Sequence, residues 1–209
     1  MVGCGRGIDC PDGMVGIPGE SGPFCIHRYE VHLEGELGNR DQGEGYPDGS
    51  TRVTLRAEKG LAPTLVSWYQ AVAACEGAGL HLCTSQEWED ACDGAPGEGG
   101  ATYPTRNGKA GAGVCAIGDL SSPQRVALAA SGAYPACRTP TGVYDLMGNL
   151  WEWTDPGAKT KEGIPKIDKR GGGHYGAEPV PCSYGSVGSH APSFDGTIGF
   201  RCCKLVSEG

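Results

Sequence analysis

The chain has 209 residues, enough for one domain or at most two, and glycine (37) and proline (15) make up about a quarter of it. That is roughly double average usage, so turns outweigh long regular elements, yet glycine shows no period of three and no apolar run approaches the ~18–20 residues of a membrane span. Seventeen Lys+Arg against 25 Asp+Glu give a net charge of −8 with no basic run, which argues against nucleic acid and anionic membrane surfaces as partners.

Taken in order, residues 1–22 are rich in glycine and proline without periodicity and read as an irregular lead-in. The start, Met1-Val2-Gly3-Cys4, reads as a chain whose leader is gone. Small residues before Cys4 also resemble the end of a bacterial lipoprotein leader, with Cys4 lipidated; a local Cys4–Cys10 disulfide is the alternative. Phe24 to Val31 alternates apolar and polar residues, the pattern of a strand with one buried face. Glu34 to Ser50 is a polar, glycine-rich loop. Ser67 with Gln70 forms a capping box that opens a helix carrying Trp68, Ala71, Val72 and Cys75 on one face and ending at Gly77 and Gly79. Thr84 with Glu87 opens a second helix, with Cys83 and Trp88 at staple spacing, Ala91 and Cys92 on the buried face, and Gly94 as the stop. From Ala95 to Thr141 the pattern is loops with one weak helical stretch at Gln124–Ala130. A dense aromatic motif follows at residues 143–154, then Arg170-Gly171-Gly172-Gly173, and a last strand at residues 199–206. The expected fold class is α+β, one loop-rich domain over residues 23–209, with two helices packed on small antiparallel sheets.

Cysteine is the loudest signal. Eleven are dispersed along the chain without a C-x-x-C pair, so disulfides made in an oxidising compartment are expected rather than a zinc ribbon. The expected location is extracytoplasmic: secreted, periplasmic or lipid-anchored at the surface. No Asn-x-Ser/Thr acceptor occurs. All four tryptophans fall in the motifs above; Trp68, Trp88 and Trp151 read as core anchors, while Trp153 reads equally as core or as a ligand platform.

Four segments in this order, VSWYQAVAACEGAG, HLCTSQEWEDAC, VYDLMGNLWEWTD and RGGG…GFRC, resemble the formylglycine-generating enzyme (sulfatase-modifying factor) family, whose fold is a glycine-rich variant of the C-type lectin fold. The resemblance implies the pairings Cys75–Cys202 and Cys92–Cys182. Cys115 and Cys137 flank one loop-rich stretch and are expected to pair, while the connectivity of Cys10, Cys25, Cys83 and Cys203 stays open.

The family's enzymes hold copper(I) on two nearby cysteines that follow R-G-G-S and convert a substrate cysteine to formylglycine; soft thiolates suit that ion. Here Gly173 stands where the family has serine, and the stretch from Arg170 supplies Cys182 alone. The expectation is therefore no catalytic residue, no copper, and a non-catalytic binding or structural module for a protein or surface ligand. A copper-dependent oxidase, or another oxidoreductase with a rearranged site, is the alternative. Lectin-fold relatives that display variable ligand surfaces are a precedent for the first reading. Trp153, Arg170, His174 and Tyr175 are a candidate groove, with His190 and Glu178 nearby; the five histidines show no metal-ligand spacing. The resemblance also implies one structural calcium ion at DLMGNLWE, held by Asp145, the carbonyls of Gly148 and Leu150, and Glu152, a hard oxygen set suited to calcium. The alternative has Asp145 capping the turn and Glu152 pairing with an arginine such as Arg201. A second calcium site is not expected, because the region reads Val114-Cys115-Ala116-Ile117.

Overall fold

The computed structural model describes residues 7–35, 54–94, 101–118, 126–163, 165–176, 178–186 and 197–206. Its elements in chain order are β1 (Met14–Ile17), β2 (Phe24–His27), β3 (His32–Glu34), β4 (Thr54–Arg56), α1 (Trp68–Gly77), β5 (His81–Leu82), α2 (Ser85–Asp93), β6 (Trp151–Thr154), β7 (Asp168–Arg170), β8 (Ile198–Phe200) and β9 (Cys202–Leu205). The fold is α+β: two helices with small, mostly antiparallel sheets in a loop-rich frame.

Both helices start where side chains satisfy the free N–H groups of the first turn. In α1 the Ser67 hydroxyl accepts from the Gln70 N–H while the Gln70 side chain accepts from the Ser67 N–H, and Thr84 and Glu87 make the same reciprocal pair in α2. Gly94 ends α2 in the left-handed conformation at φ 79°.

The main sheet has the order β1-β2-β9-β5, all antiparallel; a second has β7-β6-β8, with β6 and β8 parallel; β3 and β4 form a third. Residues 1–22 are not all irregular. β1 pairs with β2 from Met14↔His27 to Ile17↔Phe24, because Val15 and Ile17 have an apolar face to bury. Of the expected strand over 24–31 only Phe24–His27 is strand, with β3 starting afresh at His32, and that over 199–206 is broken at Arg201, where the chain passes from one sheet to another. Of the stretch 124–130, residues 126–130 carry no helix and the rest lie outside the described residues, as do Cys4, His190 and nearly all of the 34–50 loop.

Two apolar cores lie on either side of β9. Cys202 belongs to the core with Trp68, Ala71, Cys75, Trp153 and Phe200, and Cys203 to the one with Phe24, Ile26, Cys83, Trp88 and Cys92. Adjacent strand residues point to opposite faces, so one dipeptide staples both cores: Cys75 joins Cys202 and Cys83 joins Cys203. The other disulfides are Cys92–Cys182, Cys115–Cys137 and Cys10–Cys25. The last excludes the Cys4–Cys10 alternative, since Cys10 is already bonded to Cys25.

Candidate functional site

The turn from Asp145 to Leu150 is built on three residues with positive φ: Asp145 (58°), Gly148 (77°) and Asn149 (58°). Gly148 has no alternative, because a Cβ there would lie 2.6 Å from the Ala116 carbonyl oxygen. The Gly148 N–H donates to the Gly171 carbonyl (2.9 Å) and the Asn149 N–H to the Ala116 carbonyl (2.8 Å), tying the turn to the R-G-G-G segment and to the Cys115 loop.

Beneath this turn lies a fully buried polar cluster. Glu152 accepts from Arg201 Nε (2.9 Å to each oxygen), from Arg201 Nη2 (2.8 Å) and from Trp88 Nε1 (2.8 Å). Arg201 also donates to the His27 and Tyr144 carbonyls. Burial would lower the Arg201 pKa, but the Glu152 carboxylate beside it raises it, so the cation persists. Asp145 Oδ2 accepts from the Gly132 N–H (2.6 Å).

Glu30 was not singled out by the sequence. Its one signal was a carboxylate set between the bulky Tyr29 and Val31. It is fully buried and accepts from Asn149 Nδ2 (2.6 Å), Ser131 Oγ (3.0 Å) and the Leu150 N–H (3.3 Å), so it anchors the turn from below. Burial pushes its pKa well above the usual range, with the charges of Asp145 and Glu152 adding to the shift and the Asn149 bond opposing it. Burial likewise raises Asp145 to about 6. His27, buried beside Arg201, is lowered to about 4, by desolvation first and by the arginine second. Three buried carboxylates thus face one buried guanidinium.

The expected calcium ligands are near one another, but Glu152 is committed to Arg201 and Trp88, the arrangement weighed above as the alternative. Among the described residues no group of three or more His, Cys, Asp or Glu side chains is placed to hold a metal.

The candidate groove does not assemble as expected. In the β6–β7 register Trp153 pairs with Lys169 and Glu152 with Arg170, so strand alternation puts Arg170 and Trp153 on opposite faces of the sheet. Trp153 is in the core with its indole N–H on the Val66 carbonyl (2.8 Å), and Arg170 is buried against Asp168, Glu89 and the Cys182 carbonyl. Trp151 is half-buried at the edge of the same core, with Lys169 Nζ 5.1 Å from its ring centroid and Tyr184 6.3 Å away. Tyr175 and Trp151 meet around Gly173, the His174 ring lies edge-on to Tyr175, and Glu178 is exposed. Three clefts of about 300, 370 and 430 Å³ border Thr84 at the start of α2; of their polar groups His81 bonds to Glu87 and Asp90 accepts from Gln86, while Oδ1 of Asp168, on the third cleft, is buried without a hydrogen-bond partner.

Residues 24–206 match the family described as the sulfatase-modifying factor enzyme 1-like domain. The chain is 31% identical over 167 residues to the inactive C-alpha-formylglycine-generating enzyme 2 of Mus musculus, covering 74% of this chain and 52% of that one. It is 35% identical over 91 residues to the hercynine oxygenase of Mycolicibacterium thermoresistibile, covering 43% of this chain and 19% of that one. It spans about half the length of the first relative and far less of the second. Among solved structures CarF shares the fold, with a TM-score of 0.61 at 16% identity, over 94% of this chain and 99% of that chain. With the motif segments, the buried turn and a match over nearly the whole described chain in agreement, the protein belongs to the sulfatase-modifying factor enzyme 1-like family.

Proposed function

We propose that this chain is a non-catalytic binding or structural module of its family, working outside the cytoplasm. The observation that carries the reading is the state of Cys182. It is the one cysteine in the stretch that runs from Arg170 to the last strand, and it is spent on a disulfide with Cys92; no described cysteine is a free thiol. A copper(I) site built on paired thiolates therefore has no ligands here. Five disulfides suit an oxidising compartment, and among the described residues no helix is long and apolar enough to cross a membrane. Lipidation of Cys4 would place the module at a surface.

The test is incubation of the protein with a cysteine-containing sulfatase-type peptide, copper and oxygen, read by mass spectrometry. No conversion of cysteine to formylglycine is expected; aldehyde formation that depends on this protein would overturn the reading. The competing oxidoreductase reading draws on the likeness to hercynine oxygenase and predicts metal-dependent oxygen uptake instead.

A structural calcium ion belongs to the same proposal, with Asp145, the Gly148 and Leu150 carbonyls and Glu152 as its ligands. The donors are hard oxygens, as calcium prefers, and Glu30, Asp145 and Glu152 outnumber Arg201 by two charges when all are ionised, a surplus that a divalent cation would neutralise. Glu152 would have to exchange one of its present bonds for the ion.

A further inference from the structure

We propose that the third cleft at the start of α2, of about 430 Å³, binds a primary ammonium group on an aliphatic stem, such as a lysine side chain. This rests on the binding-module reading above and deepens it by naming a site and the chemistry that fills it. The cleft lies between the first residues of α2 (Ser85, Gln86), the turn that leaves β6 (Asp155, Pro156, Gly157), and Asp168 and Arg170 of β7. Ser85 ties these walls together: its N–H donates to the Asp155 carbonyl (2.9 Å) and its hydroxyl to Asp168 Oδ2 (2.8 Å).

Asp168 Oδ1 is the unspent atom. The residue is 1% exposed, and its Oδ2 accepts from both Ser85 Oγ and Arg170 Nε, while Oδ1 has no hydrogen-bond partner. A buried carboxylate oxygen in that state carries a desolvation cost that an arriving donor removes. Gly185 keeps it uncovered, because a Cβ there would lie 2.9 Å from Oδ1 and 3.0 Å from Oδ2. Gly185 is not among the glycines with positive φ, so its backbone does not require glycine; what glycine supplies here is room.

Charge and donor count select an ammonium. Arg170 is shared between Asp168 and Glu89, so one cation answers two carboxylates. Asp155 adds a third; its Oδ1 accepts from the Gly157 N–H (2.8 Å), and it joins no ion pair among the described residues. The start of α2 offers little to an anion, since the Ser85 N–H is spent on the Asp155 carbonyl and the Glu87 N–H on Thr84 Oγ1. Gln86 gives its Nε2 to Asp90 and keeps Oε1 as an acceptor on the cleft. An ammonium carries three donors and no acceptor, which matches Asp168 Oδ1, the Asp155 carboxylate and Gln86 Oε1. The Pro156 ring gives the stem an apolar wall.

The experiment is titration calorimetry of the intact protein with Nα-acetyl-lysine methylamide at about 150 mM salt, where long-range attraction is screened. The norleucine analogue keeps the stem without the charge, and the Nε-trimethyl-lysine analogue keeps the charge without any N–H. The lysine derivative should bind about tenfold more tightly than either, as a charge-assisted hydrogen bond to a buried oxygen would give. 1,5-Diaminopentane separates the sources: affinity equal to the lysine derivative assigns the cleft to free amines, and weaker binding assigns it to a polypeptide lysine. Asp168→Asn should abolish the preference, because its oxygen must stay on Ser85 and Arg170 and its amide then puts a donor where Oδ1 was. Gly185→Ala, which leaves every charge in place and covers Oδ1, should abolish it as well, and serves if the Asp168 variant does not fold. No binding, equal affinity for the three derivatives, or a preference that survives in either folded variant would overturn the proposal. Formylglycine production, by contrast, would overturn the non-catalytic reading and leave these outcomes unaffected.

Discussion

Arg201 is the residue on which the buried polar groups converge, and its cost and its benefit are both large. A guanidinium with no exposure is tolerable only because Glu152 and two carbonyls take its protons. Arg201→Met should leave Glu152 buried and unpaired and cost about 3–5 kcal/mol; urea unfolding at neutral pH measures it, and a loss below about 1 kcal/mol would mean that the cluster is hydrated. His27 gives a pH signature. Its native pKa of about 4 lies below its ordinary 6.5, so the unfolded chain takes up a proton first as pH falls. Its contribution is fully present above pH 6.5 and is lost progressively down to about pH 4, on the order of 3 kcal/mol in all. Glu30 and Asp145 are shifted upward and act with the opposite sign, so the His27 contribution must be read as a difference. His27→Asn, which keeps an acceptor for the Cys202 N–H, should show a shallower loss of stability than the parent between pH 6.5 and 4.

At the scale of the element, the 145–150 turn is the least replaceable piece of backbone. Gly148→Ala forces a side chain into the left-handed region and against the Ala116 carbonyl at once. It should destabilise by about 2–4 kcal/mol, well beyond an ordinary glycine-to-alanine change in a loop. A wild-type melting temperature in this variant would show that the turn can shift. The proposed calcium belongs to the same element. Chelation should lower the melting temperature, and Asp145→Ala with Glu152→Gln should abolish the difference between calcium and chelator. Identical melts of the parent protein with and without chelator would remove calcium from the account.

Across the whole molecule, the two cores are bound together by the Cys202-Cys203 pair more than by their size. Cys75–Cys202 closes 127 residues and Cys83–Cys203 closes 120, so each limits the unfolded chain strongly. Replacing Cys75 and Cys202 by alanine should cost about 4–5 kcal/mol on the chain-entropy account, with Cys83–Cys203 still formed on non-reducing peptide mapping. A loss near zero would mean that the unfolded chain is already held by the other bonds.

Local chemistry was legible in the residues themselves. The capping boxes at Ser67–Gln70 and Thr84–Glu87 need only four consecutive residues, and the structure places both helices on them. The four motif segments carried the family by resemblance, and two capped helices among short strands carried the α+β class. Tertiary structure decided the rest. β1 was hidden because four residues among glycines become a strand only when β2 supplies its ladder. Trp151 and Trp153 share one face of β6, and nothing in their spacing tells which lies under α1 and which at the rim. Glu30 meets Ser131 and Asn149 across more than a hundred residues, and Cys10 finds Cys25 only after β1 and β2 align. Sequence by itself settled what short-range hydrogen bonding and side-chain periodicity dictate. Which polar groups are buried together, and which of two neighbouring rings lies deeper, depends on contacts between distant segments, and only the folded chain brings those into being.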